Sequence, residues 1–598
     1  PSPETPPNRW ADERLWPLLE AQEHRDTEAL CALLEHEAPE VREAAALAFA
    51  SVQDTLGIPC LLAALRDDVV AVRATAVFAL GFVADSLTIE GMAELAINES
   101  DSAVQRAYLS ASFLAMQRNG MLKDPAVIIY FLQGSSGHEQ LRAADALRRM
   151  PDSTLQAIAA DYMALLGGDT PLELEAMLVR GLGRVHSDEA LRLLRFSTDA
   201  DKPAVIIASA LLALGNLGNN VDDSIFFNLA GEGCIGQAAL EVLRGREVLD
   251  ASICLSTAAE ELDTLTAIAL LGSAMHHGDA VMTETASAAL ERLVAGKLTS
   301  YQRAEVLGSY SRAPRDETLP GLLFVLRSSE PPPLKQAAFQ SAVRVVREIM
   351  MRSRYATPEA RYGQLGEVVR SSMSTRDEGL ISAAAELLLE EDSEAIGVMF
   401  DRETESSASS ALLPIRDLEA RILLAKVAAK RDGLPPPAHQ PPPFNHPINK
   451  EKLRALPQAQ RYRITTTKGE VILATDVNDC PGSSLAFDSL VTAGYYNGKA
   501  FHRMVPNFVV QGGCPRGDGY GGMPWTLRTE IGRKLFTAGS VGLASAGRDT
   551  ESCQFFITHS ATPHLDGRYT RFGEVVEGMD VVWQLQVGDV MQTVERIE

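Results

Sequence analysis

The chain has 598 residues, of which 46% are hydrophobic and 6% aromatic, and its formal net charge is −24. That length is more than one hydrophobic core serves, so several domains or a repeat array are expected, and the apolar content excludes wholesale disorder. The acidity excludes a nucleic-acid backbone as the expected partner, and no apolar run reaches the roughly 18 residues of a membrane-spanning helix.

The N-terminal stretch, residues 1–9, opens Pro1-Ser2-Pro3-Glu4-Thr5-Pro6-Pro7 without an initiator Met or a visible signal peptide. It reads as an extended tether, as in an exported protein whose leader has been removed. That favours an extracytoplasmic compartment, periplasm or cell envelope, over the cytoplasm; an arbitrary start fits nearly as well. Seven scattered cysteines, none in a C-x-x-C pair, argue against a disulfide framework and against a zinc site.

A repeat follows. Val41-Arg42-Glu43-Ala44-Ala45 opens an Ala/Leu-rich helix, and Val72-Arg73-Ala74-Thr75-Ala76 does so 31 residues later. Related starts recur at Val104, Leu141, Leu174 and Val205, with Gly81, Gly183 and Gly215 near helix ends. Shorter helices such as residues 27–34 lie between. The unit is two antiparallel helices in a little over thirty residues, and it resembles the HEAT family in its short bacterial variety. One such hairpin cannot bury its apolar face alone, so neighbours must stack into a superhelix. The pattern blurs after about residue 220. Stretches 265–275, 280–294, 322–346 and 380–389 still carry helical spacing, which extends the solenoid over 10–430, roughly a dozen repeats. Arg42 and Arg73 are expected to bond carbonyls or carboxylates within the stack. His276-His277-Gly278-Asp279 falls at an expected helix end and turn, so it is not assigned a metal.

Residues 431–458 change character. Pro435-Pro436-Pro437 and Pro441-Pro442-Pro443 make a stiff, extended linker, which predicts a semi-rigid arm, with a short helix over 450–456. From Tyr462 the pattern is β. Residues 462–467 and 470–475 flank Lys468-Gly469 as a hairpin, and Phe487, Leu490 and Val491 mark a helix face ending at Gly494.

Three motifs then carry chemistry. They are Phe501-His502-Arg503-Met504-Val505-Pro506-Asn507-Phe508-Val509-Val510-Gln511-Gly512-Gly513; Gly542-Leu543-Ala544-Ser545-Ala546-Gly547 with Ser552-Cys553-Gln554-Phe555-Phe556-Ile557-Thr558; and His564-Leu565-Asp566-Gly567-Arg568-Tyr569-Thr570-Arg571-Phe572-Gly573. In this order and spacing, residues 459–598 resemble a cyclophilin-type peptidyl-prolyl cis-trans isomerase. The resemblance implies a closed eight-stranded antiparallel β-barrel with a helix capping each end and the active face outside. The whole chain is thus expected to be multidomain, an all-α HEAT-like superhelical solenoid followed by that barrel.

The resemblance also implies roles. Arg503 matches the catalytic arginine, and Gln511 the residue that orients it and contacts substrate. Phe508, Val509, Phe556 and Leu565 match the proline pocket. Ala544, Ser545 and Ala546 match the loop that pairs with the substrate backbone. Gln554 lies on a neighbouring wall, and His502 has a minor contact role. Tyr569 stands where His is frequent. His564 stands where Trp occurs in cyclosporin-sensitive members, which implies weak binding of that drug but not loss of catalysis. Rotating an X-Pro bond breaks nothing, so neither metal nor cofactor is expected. The twisted amide needs a fixed cation beside its nitrogen and a dry slot for the ring. The expected function is isomerisation of X-Pro bonds in protein clients as a folding helper, with proline-containing client segments as partners and an unidentified protein partner on the solenoid. The alternative is an interaction scaffold whose barrel is mainly a proline-binding module.

Overall fold

The computed structural model describes residues 8–597 apart from 168, 219–220, 261, 315–317, 353–356, 415, 439–441 and 443–444. Most of the expected N-terminal tether, and His439 to Pro441 and Pro443 of the linker, therefore lie outside the described residues. The α-helices of the first part lie between Trp16 and Arg431, and strands begin at Arg461.

Why the repeats stack is visible in their side chains. Helix Pro39–Val52 buries Val41, Ala44, Ala45, Ala48 and Phe49, and helix Val70–Val83 buries Val72, Thr75, Ala76, Ala79 and Leu80. Small residues let the axes approach. A Cβ on Gly183 would lie 2.4 Å from the Ala213 carbonyl oxygen, and one on Gly215 would lie 2.6 Å from Val242. Arg42 donates to the His36 carbonyl and to Asp67, and Arg73 donates to the Asp67 carbonyl and to Glu99. The repeated arginine thus ties its own helix start to the next repeat.

The pattern continues through helices Ala204–Asn216, Gly233–Gly245, Thr264–His277, Ser300–Tyr310, Pro332–Arg352, Glu378–Glu390 and Leu418–Arg431. The single stretch read over 322–346 is two helices, Thr318–Arg327 and Pro332–Arg352. Pro331 to Pro333 explain the break: a proline has no N–H to donate, but it is welcome in a first helical turn. The cysteine reading also needs correction. Cys31 and Cys60 form a disulfide across a sequence separation of 29. That separation is close to the repeat period, so stacking brings helices Thr27–Leu33 and Ile58–Ala64 side by side and pairs equivalent positions.

The second part is one antiparallel sheet. Its strands are β1 (Arg461–Thr466), β2 (Gly469–Thr475), β3 (Lys499–Ala500), β4 (Arg503–Val505), β5 (Val509–Gly512), β6 (Ser540–Leu543), β7 (Phe555–Thr558), β8 (Arg571–Glu577) and β9 (Val590–Ile597). The spatial order is β3-β9-β1-β2-β8-β6-β7-β5-β4. The two edge strands are joined by Phe501-His502 alone, whose N–H groups donate to the Asp589 and Gln511 carbonyls. The sheet therefore curls until its edges meet, with nine strands where eight were expected. Helix Pro481–Thr492 covers the core, and its Phe487 ring packs against Tyr462, Tyr496, Phe555 and Phe572.

The barrel is not held at arm's length. Residues 434–438 run without regular structure, but His446 stacks on Trp525 and Asn445 bonds both Pro524 and Thr526. The barrel lies against the solenoid's longer helices. Arg25 pairs with Asp549, Arg142 with Asp566 at 3.3 Å and Arg516 with Asp377. Trp583 packs on Ala176, Val205 and Ile206.

Candidate active site

The register of three strands builds the polar half of the site. Arg503 of β4 lies opposite Gln511 of β5, and Gln511 lies opposite Phe556 of β7. Residues opposite one another in adjacent strands share a face, so these three form one row on the outside of the barrel. Their neighbours Val510, Phe555 and Ile557 point the other way, into the barrel core. Phe556 in turn lies opposite Gly542 of β6. A Cβ on Gly542 would lie 2.4 Å from the Phe556 ring and 2.9 Å from Phe536. Only glycine lets that ring lie flat over the strand.

The apolar half is a small separate cluster of Val509, Phe536, Phe556 and Leu565, with Phe508 and Tyr569 packed on it. The Phe536 and Phe556 rings stack at 5.8 Å, and Tyr569 meets Phe556 edge-on at 6.0 Å. His564 stacks on Phe508 at 5.4 Å and forms the rim. Burial pushes its imidazole down to about 4, so it is neutral there. Phe536 is the member that the sequence did not suggest: it sits between two motifs, in Lys534-Leu535-Phe536, without periodicity. It is pinned by Asp566, whose carboxylate accepts from the Phe536 N–H at 2.9 Å and pairs with Arg142 of the solenoid.

A chain of amides orients Gln511. Gln554 donates to the Gly519 and Gly521 carbonyls at 2.8 and 2.9 Å, and its oxygen accepts from Gln511 at 3.1 Å. Arg503 is exposed and faces a cavity of about 540 Å³. Partial burial lowers its pKa, a shift opposed by Tyr569, yet a guanidinium stays charged at any physiological pH. His502 lines the same cavity. Burial, and then Arg503, hold its imidazole at about 4. The Ala544 N–H donates to the Gln554 carbonyl and the Ala546 N–H to Thr550. That fixes Ala544, Ser545 and Ala546 along a second cavity, which Gln511 and Gln554 also line.

The residues of the opposite wall carry no motif in the sequence. The Arg503 cavity is closed by Tyr301, Gln336, Gln340, Glu386 and Glu419 of the solenoid. The second cavity is closed by Glu378, Asp417 and Glu419. A third, of about 260 Å³, lies between Phe508 and His564 on one side and Arg148, Met177 and Arg180 on the other. The β4–β5 turn is itself clamped: Asn507, at φ 57°, donates through its side chain to Ser209 at 2.7 Å, and its N–H meets Cys234 sulfur at 3.1 Å. Burial, then the charge of Glu386, pushes the Glu419 carboxyl up to about 7.

Comparison with known proteins accords with this geometry. The family profile of the cyclophilin type peptidyl-prolyl cis-trans isomerases matches residues 461–598, and that of HEAT repeats matches residues 27–112. Peptidyl-prolyl cis-trans isomerase B of Bacillus subtilis is 44% identical over 120 residues, which are 20% of this chain and 83% of that relative. The peptidyl-prolyl cis-trans isomerase of Synechococcus elongatus is 41% identical over 134 residues, 22% of this chain and 92% of its own. That of Helicobacter pylori strain 26695 is 39% identical over 135 residues, 22% and 83% of the respective chains.

Proposed function

Because this chain belongs to the cyclophilin-type peptidyl-prolyl cis-trans isomerases through residues 461–598, we propose that it turns X-Pro bonds of extended client segments inside a cleft whose second wall is the HEAT solenoid. The working division is the solenoid over 10–430, a linker over 431–458 and the isomerase over 459–598; of the residues ahead of the solenoid, Asn8 donates to the Leu453 and Leu456 carbonyls and so joins the start of the chain to the end of the linker.

The proline ring enters the slot of Phe508, Val509, Phe536, Phe556 and Leu565, which excludes water. An X-Pro amide resists rotation by about 18–20 kcal/mol because its nitrogen lone pair is delocalised. As the bond twists, the nitrogen becomes pyramidal and accepts a hydrogen bond that the planar amide cannot. Arg503 supplies that donor and a positive charge from a fixed position, so it favours the twisted state over either planar one. Gln511, held by Gln554, keeps the guanidinium aligned and meets the substrate backbone. Ala544, Ser545 and Ala546 hold the residues flanking the proline. No proton moves and no bond breaks.

The observation that carries this reading is the Arg503, Gln511, Phe556 row beside a separate apolar slot. Replacing Arg503 with Ala is expected to lower kcat/KM on an X-Pro peptide at least about tenfold, or ~1.4 kcal/mol of barrier, with circular dichroism unchanged. A folded variant with the wild-type rate would remove Arg503 from the mechanism.

A further inference from the structure

In a chain with net charge −24, one cavity on the solenoid runs against the trend. It has a volume of about 590 Å³ and is lined by Arg244, Arg246, Arg312, Arg344, Arg347 and His276. Carboxylates answer some of these charges. Arg244 pairs with Glu305, Arg246 with Asp223, and Arg347 with Glu390 and Glu391. Glu348, which also faces the cavity, is paired with Arg352. Among the described residues, Arg344 donates only to the Ser311 hydroxyl and the Gly308 carbonyl. Arg312 has no carboxylate partner among the described residues.

Two further facts show that the cluster is short of acceptors. The Arg244 Nε and Arg246 Nη2 groups are buried with no hydrogen-bond partner among the described residues. Buried donors are normally paired, and an unpaired one is costly. Desolvation, then the like charges of Arg244 and Arg344, pull the Arg312 guanidinium down to about 10. The His276 Nδ1 is engaged with the Arg312 carbonyl, so this ring is held at the rim. An incoming oxyanion would neutralise Arg312 and Arg344 together and offset the shortage of acceptors around the cluster.

The position of the cavity suggests whose oxyanion. Gln340 lines both this cavity and the one that holds Arg503. Helix Pro332–Arg352 therefore leads directly from the active site to the arginines. The cavity is also far larger than a single small anion needs, and its donors come from several successive repeats. We infer that it binds the carboxylates of an acidic stretch in the client, a few residues along the chain from the proline being turned. This rests on the isomerase reading of Arg503, because the client is the segment that occupies that site.

Binding and turnover separate the two ideas. Fluorescent peptides carry one Ala-Pro and a Glu-Glu-Glu run, placed before or after it with spacers of about three to nine residues at ~3.3 Å each. Gln-Gln-Gln counterparts serve as controls, and anisotropy is read on the full chain at low salt. At one spacing or more, the Glu peptide is expected to bind at least about tenfold tighter than its control. The preference disappears in Arg312→Gln and Arg344→Gln, and kcat/KM for the Glu peptide falls through KM. Both variants should turn over the uncharged control at the wild-type rate, which checks the fold and the isomerase reading independently. Equal binding of Glu and Gln peptides at every spacing would overturn the inference. So would inorganic phosphate binding as tightly as the peptide, since the cavity would then be a small-anion site.

Discussion

At the scale of the residue, His564 and Glu419 offer two tests beyond Arg503. His564 offers a smaller and more polar edge than an indole at the rim of the proline slot, stacked on Phe508. Cyclosporin should therefore bind weakly, and His564→Trp should tighten it, as read by calorimetry. An unchanged affinity in the variant would show that the rim does not set it. Glu419 makes a pH prediction. Its carboxyl rises from 4.5 to about 7 on folding, chiefly through burial. A raised carboxyl pKa means that the folded state holds the proton longer. Stability is thus lost as the pH rises from about 4.5 to 7, by on the order of 3 kcal/mol. Glu419→Gln should gain stability over the wild type at pH 8 and show no gain at pH 4, measured by thermal unfolding. An equal gain at both pH values would contradict the assignment.

At the scale of the element, the short helices Thr27–Leu33 and Ile58–Ala64 are joined by Cys31 and Cys60. Closing a separation of 29 residues limits the unfolded chain, a stabilisation of about 3.6 kcal/mol in the chain-entropy view. Reduction should speed amide hydrogen exchange in these first repeats by up to about 400-fold while leaving the barrel unaffected. No change on reduction would show that stacking alone fixes the repeats. This bond also shows where reading the sequence stops. A pairing of cysteines 29 apart has no motif; it becomes plausible only when the 31-residue period is taken as a distance in space. The site behaves the same way. Arg503, Gln511 and Phe556 are legible because three local motifs, in order and spacing, resemble those of a known family. Phe536 was not, because its role comes from Asp566, reached by a loop and held by Arg142 some 424 residues away in sequence. Helices were legible from apolar spacing, but the break before Pro332 was overrun because both flanks carry the same pattern.

At the scale of the whole molecule, the linker composition suggested a spacer, yet the solenoid and barrel share walls around the proline slot. Composition reports the stiffness of 435–437. It does not report that Arg516 finds Asp377, that Tyr520 donates to Glu386, or that Asn507 finds Ser209. Those contacts depend on curvature accumulated over many repeats, which no local window contains. Their consequence is steric. A flexible chain can thread between Arg503 and Gln340, whereas a proline on a compact protein surface has solenoid helices in its way. The direct measurement is exchange-NMR isomerisation of one X-Pro sequence presented twice to the full chain, in a short flexible peptide and in a rigid loop of a compact folded protein. The shared cleft predicts acceleration of the peptide at least about tenfold greater than that of the loop. Equal acceleration of both would mean that the active face is open and that the solenoid does not form the second wall.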